Sequence, residues 1–66
     1  MIILNGEQLE GAAGKTVTEL LAENGFPDRI LAAVEINGSI VPRRNWPETK
    51  LSEGDKVEVV QFVGGG

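Results

Sequence analysis

Three consecutive glycines, Gly64, Gly65 and Gly66, close a chain that holds few other groups able to react. Glycine has no side chain, so any chemistry there belongs to the backbone and to the α-carboxylate of Gly66. That carboxylate, with a pKa of about 3.5, is anionic at neutral pH and can attack an activated phosphate. Glycine also suits passage: a segment without Cβ atoms threads a narrow channel, and three extended residues reach about 10 Å at roughly 3.3–3.6 Å each. Standing alone, the same stretch equally fits a frayed terminus, the ordinary fate of glycines at a chain end.

The remaining candidates are few. Neither Cys nor His occurs, which removes disulfides, thiolate nucleophiles, imidazole bases and the usual zinc ligands together. The stretch "GAAGK" lacks the GxxxxGK[ST] spacing of a phosphate loop and the strand and long helix that such a loop joins. Glu7, Glu10, Glu19, Glu23, Glu48, Glu53 and Asp55 are scattered along the chain, as on a solvated surface. Arg43 and Arg44, with Trp46 close behind, form the only basic cluster. The arginines fit either a polar rim for an acidic partner or phosphate, or a solvated surface. Trp46 is expected in the core, because so small a domain can hardly leave its largest side chain outside.

Those groups must be positioned by a single domain of 66 residues with a net charge of −4. That balance opposes nucleic-acid binding, which rests on Lys and Arg neutralising phosphates. The apolar runs "MIIL" and "ILAAV" fall far short of the ~20 residues of a membrane-spanning helix. No charged segment leading into an apolar stretch opens the chain, so the expected location is the cytoplasm.

Asn5-Gly6 and Asn37-Gly38 each carry the signature of a two-residue hairpin turn, with strands on either side. Between them, Thr16 and Glu19 form a capping box, Val17, Leu20, Leu21 and Asn24 share one helical face, and Gly25 and Pro27 end the helix. "RRNWPETKLSEGD" is a connection that closes in a turn over Ser52 to Asp55. "KVEVVQFV" is the clearest strand. The order hairpin, helix, hairpin, connection, strand gives an α+β fold, a β-grasp with a mixed sheet of four to five strands and one main helix on one face. Residues 1–63 form the domain and 64–66 a flexible glycine tail.

In the last strand Val57 and Val59 face the helix, while Lys56 and Glu58 face away. Continuing the outer face brings up Val60 and Phe62, both apolar where alternation predicts solvent. Either they form an exposed docking patch beside the tail, or the register slips through a bulge, or both faces are covered near the sheet centre.

The segments "AAGKTVTELLAENG", "AVEINGSIVPRRNW" and "LSEGDKVEVVQFVGGG" resemble the ThiS family, sulfur carriers of thiamine biosynthesis, over nearly the whole chain. The most specific matches are "VPRRNW", against the family's VPRxxW, and "EGDKVEVV" leading into terminal glycines; three glycines here extend the family's usual pair. The resemblance implies a ubiquitin-like carrier that is not an enzyme and holds no cofactor. It implies that an E1-like adenylating enzyme of ThiF type, using ATP and Mg, activates the Gly66 carboxylate. A persulfide donor then yields a thiocarboxylate, and a thiazole synthase of ThiG type consumes the sulfur. On that view Gly64 and Gly65 pass into the partner's site, and Val60, Phe62, Arg43 and Arg44 are candidate docking residues. Three alternatives share the fold: a carrier of the molybdopterin-synthase small-subunit type, a modifier that forms isopeptides with lysines, and a plain interaction module.

Overall fold

Both Asn-Gly pairs fold the chain back on itself as expected. Asn5 and Gly6 take φ values of 47° and 86°, Asn37 and Gly38 of 52° and 86°, the left-handed pair that a type I′ turn requires. The first turn joins β1 (Ile2–Leu4) to β2 (Glu7–Leu9), and the second joins β3 (Ala32–Ile36) to β4 (Ser39–Ile40). The computed structural model describes residues 1–62. The expected end of the domain at Val63 and the glycine tail lie outside them.

One helix, α1 (Val17–Glu23), separates the hairpins, and the last strand, β5 (Lys56–Gln61), enters between them. The sheet order is β2-β1-β5-β3-β4, with β5 parallel to β1 and antiparallel to β3. Five strands and one helix are the β-grasp arrangement expected from the element order. Against β3 the register runs unbroken from Ile36↔Val57 to Ala32↔Gln61, so no bulge interrupts the strand. The alternation therefore carries through to its end.

A helix of seven residues is too short to stand alone, since nucleation costs more than so few internal bonds return. Its first four N–H groups, which have no partner inside a helix, are all satisfied here. The Val17 and Thr18 amides donate to the carbonyls of Thr49 and Trp46 at 3.0 and 3.4 Å. The Glu19 amide donates to the Thr16 hydroxyl at 3.1 Å, and the Glu19 carboxylate accepts from the Thr16 amide at 2.9 Å, completing the expected capping box. The Leu20 amide reaches the Thr16 carbonyl. Gly25, with φ of 85°, ends the helix, and the Asn24 side chain turns back to the Leu20 carbonyl rather than into the core.

Val17, Leu20 and Leu21 from the helix meet Ile2, Leu4, Val34, Val57 and Val59 from the sheet. Trp46 closes one end of this core at 5% exposure, as expected for the largest side chain. It arrives through a short 3₁₀ turn, Arg43–Asn45, that the sequence reading did not anticipate. Its indole N–H donates to the Val41 carbonyl at 3.0 Å, so the polar edge is satisfied as the ring is buried.

The cap makes two measurable statements. Thr16→Ala should cost about 1 kcal/mol, lowering Tm by roughly 4–8 °C in a domain of this size. The Glu19 carboxyl is held below its ordinary value of 4.5, first by the Thr16 backbone amide and then by the Thr16 hydroxyl. A depressed folded pKa means that this stabilisation is present above the unfolded value and is lost as pH falls through the lower folded one. Thermal melts between neutral and acid pH should show a shallower acid loss for Glu19→Gln than for the parent; equal slopes would rule out the contribution.

Candidate functional site

The residues that approach the carboxyl-terminal segment are those that hold β5. On one side β1 pairs with β5 only at Ile3↔Lys56 and Leu4↔Val57, after which β1 turns away. Asn5 continues the ladder with its side chain: the Val59 amide donates to Asn5 Oδ1 at 2.8 Å, and Asn5 Nδ2 donates to the Val59 carbonyl at 3.4 Å. Its own amide donates to the Val57 carbonyl at 2.9 Å. A side-chain amide thus copies the donor and acceptor of one more strand residue. The left-handed backbone of the turn aims it there, so one asparagine serves both the hairpin and the central strand.

On the other side β3 accompanies β5 to its end. Beyond Gln61 the Phe62 amide still donates to the Leu31 carbonyl at 2.8 Å, the last bond before residues 63–66. Val57 and Val59 are buried against the helix, while Val60 and Phe62 stand 50% and 58% exposed on the opposite face. Of the arrangements open to the sequence, the structure has the exposed one.

Neighbouring residues extend that face. Ala33 lies opposite Val60, and Glu35 lies opposite both Glu58 and Ile40, so all five project to the same side. Ile40, at 68% exposure, and Leu31, beside Phe62 and 58% exposed, add apolar surface that sequence reasoning missed. A signal for Ile40 was present: a two-residue turn at Asn37-Gly38 fixes Ser39 against Ile36, and hence Ile40 against Glu35. Several apolar side chains that share a solvent-facing surface are a feature of interaction sites rather than of idle ones.

The two arginines part company. Arg43 donates through Nη1 to the Ile30 carbonyl and through Nη2 to the Asp28 carbonyl at 3.3 Å. Its guanidinium also lies over the Trp46 ring, 4.8 Å from the centroid. Arg44 is exposed, and its side chain has no hydrogen bond or ion pair among the described residues. Gly64, Gly65 and Gly66 lie outside the described residues.

Among the described residues no group of three or more Asp, Glu, His or Cys is placed to hold a metal ion. No helix among them is long and apolar enough to cross a membrane. What the site offers is a held strand end and an apolar surface beside it.

A mixed five-stranded sheet with one helix on one face and an uncovered apolar strip beside the last strand defines a β-grasp protein of the ubiquitin-like kind. The family model described as ThiS family matches residues 2–66, and the chain belongs to that family. It is 38% identical to the sulfur carrier protein ThiS of Escherichia coli, over 98% of this chain and 97% of that one. A thiazole synthase of Paramagnetospirillum magneticum is 42% identical over 98% of this chain, which spans only 20% of that protein's length. In crystal, the thiamine biosynthesis protein ThiS of Geobacter metallireducens superposes with a TM-score of 0.78 at 34% identity, covering 98% of this chain and 97% of that one.

Replacing Asn5 by Gly keeps the left-handed backbone accessible and removes only the amide. Urea unfolding of Asn5→Gly should show a loss of roughly 1–3 kcal/mol, the cost of leaving the Val59 groups unpaired. Asn5→Ala should lose about 1 kcal/mol more from left-handed strain. Equal stability of Asn5→Gly and the parent would mean that solvent replaces the amide at no cost.

Proposed function

We propose that this protein is a sulfur carrier of thiamine biosynthesis whose working group is the Gly66 carboxylate. The single observation that carries the reading is a family match that runs through residue 66. In this role the chain is a co-substrate. An E1-like partner of ThiF type, spending ATP with Mg, converts the carboxylate to an acyl-adenylate. The terminal sulfur of a persulfide donor displaces AMP to give an acyl disulfide, and a thiol then reduces that S–S bond, forming a disulfide and leaving a thiocarboxylate, which a thiazole synthase consumes. A segment similar to this chain within a thiazole synthase supports that last partnership.

The chemistry explains the composition. Sulfur held on a terminal carboxyl needs no cysteine, and a chain acted upon by partners needs no histidine. Gly64 and Gly65 give the reactive end passage into a confined site because nothing projects from them. Docking falls to the face carrying Val60 and Phe62, where burial of apolar surface is worth roughly 25 cal/mol per Å². Of the two arginines, exposed Arg44 is the one left to a partner, whereas the guanidinium of Arg43 is engaged by backbone carbonyls.

Two experiments test this reading. After incubation with ATP, Mg, an activating enzyme, a persulfide donor and a thiol reductant, intact mass should show one terminal oxygen replaced by sulfur, and fragmentation should place it on Gly66. Deleting Gly66 should abolish the change and leave the fold intact. An unmodified terminus under conditions that sulfurate a known carrier would refute the proposal. For docking, Val60→Asp and Phe62→Asp should each raise KM for the activating enzyme roughly tenfold or more while leaving the circular dichroism spectrum unchanged. Unchanged KM in both would remove the patch.

A further inference from the structure

Phe62 is the last of the described residues, and its amide is held by the carbonyl of Leu31. Leu31 belongs to the segment between Pro27 and the start of β3 at Ala32. That segment makes one internal turn bond, from the Ile30 amide to the Pro27 carbonyl at 3.1 Å. The Ile30 side chain is buried, yet the carbonyl of the same residue points away from any strand partner and is taken by Arg43 Nη1. Nη2 of the same guanidinium takes the Asp28 carbonyl two residues earlier. Two prongs of a planar, permanently charged group therefore fix two carbonyls of this one turn, and stacking on buried Trp46 fixes the guanidinium.

We infer that Arg43 is a positioning residue for the end of β5: it locks the 28–31 loop, whose Leu31 carbonyl pins Phe62, the residue that precedes 63–66. The path is short and continuous, from Trp46 to the guanidinium, to the Ile30 carbonyl, across one peptide unit to the Leu31 carbonyl, and to the Phe62 amide. Without Arg43 the Ile30 carbonyl loses a charge-assisted donor, and the Leu31·Phe62 pair becomes the first part of the β3·β5 ladder to fray. Fraying at Phe62 adds residues to the stretch between a docked body and its reactive carboxylate. The reach then becomes less defined, and the fraction of time in which the carboxylate sits at the attack distance falls. Because β5 is held elsewhere by Asn5 and by the rest of the register, the effect is confined to that end.

The activity half of this inference rests on the carrier reading; the geometric half does not. In Arg43→Met, which keeps the apolar stem over Trp46 and removes the donors, amide exchange followed by NMR should accelerate at Phe62 by roughly tenfold or more. The Asn37 amide, bonded to the Lys56 carbonyl at the other end of the same ladder, and the Leu20 amide in the helix should change little. With the activating enzyme, kcat for adenylation should fall by roughly the same factor while KM stays at the parent value. If Arg43→Met does not fold, Arg43→Lys, which keeps the charge but not the two-pronged geometry, carries the same comparison with a smaller shift. Unchanged exchange at Phe62, or equal acceleration at all three amides, would overturn the inference, as would local acceleration with an unaltered kcat. A parent chain that is never activated would instead sink the carrier reading, and the exchange comparison alone would then decide whether Arg43 anchors the segment.

Discussion

The fold turns on how a three-residue strand at the beginning of the chain holds a six-residue strand at its end. Backbone pairing between them covers two positions, too few to secure the central strand of a sheet. Asn5 supplies the missing position by presenting an amide that has the hydrogen-bonding pattern of a peptide group. It can do so only from a left-handed turn, where Asn is among the few residues with a side chain that fits. The burial of Val57 and Val59 and the exposure of Val60 follow from this hold together with the five-position register against β3.

The helix is similarly dependent on distant backbone. Carbonyls from the connection that carries Trp46 and Thr49 receive its first amides, so the least regular part of the chain completes its most regular part. The Gly14 amide to Leu51 carbonyl and the Leu51 amide to Lys15 carbonyl bonds, each 2.8 Å, tie the same regions together. In a core this small no element is stable on its own, and each borrows hydrogen-bond partners from another. The apolar face beside β5 is the exception, because nothing in the described chain covers it.

How much of this can be read from residues alone depends on the range of the interaction. Both hairpins were legible because Asn-Gly is a local solution to a local backbone demand, and the capping box because its partners lie three residues apart. The alternation in "KVEVVQ" was legible for the same reason, although whether Val60 and Phe62 lay bare required the register with β3. Asn5 meets Val59 across 54 residues, and no pattern near either one announces it. Arg43 was visible as a charge but not as a ligand of the Ile30 carbonyl, since that depends on a 3₁₀ turn whose sequence, flanked by prolines, reads only as connection. Gly66 stood out by chemistry and by family likeness, and it lies outside the described residues.

Trp46 also has an optical consequence. It is the chain's only tryptophan, and its ring is buried, bonded through nitrogen to the Val41 carbonyl and covered by a guanidinium. The protein therefore carries a single intrinsic fluorophore at the junction of helix, connection and 28–31 loop. Its emission reports the polarity of that junction without any label, and the exposed apolar face contains no second indole to blur the signal.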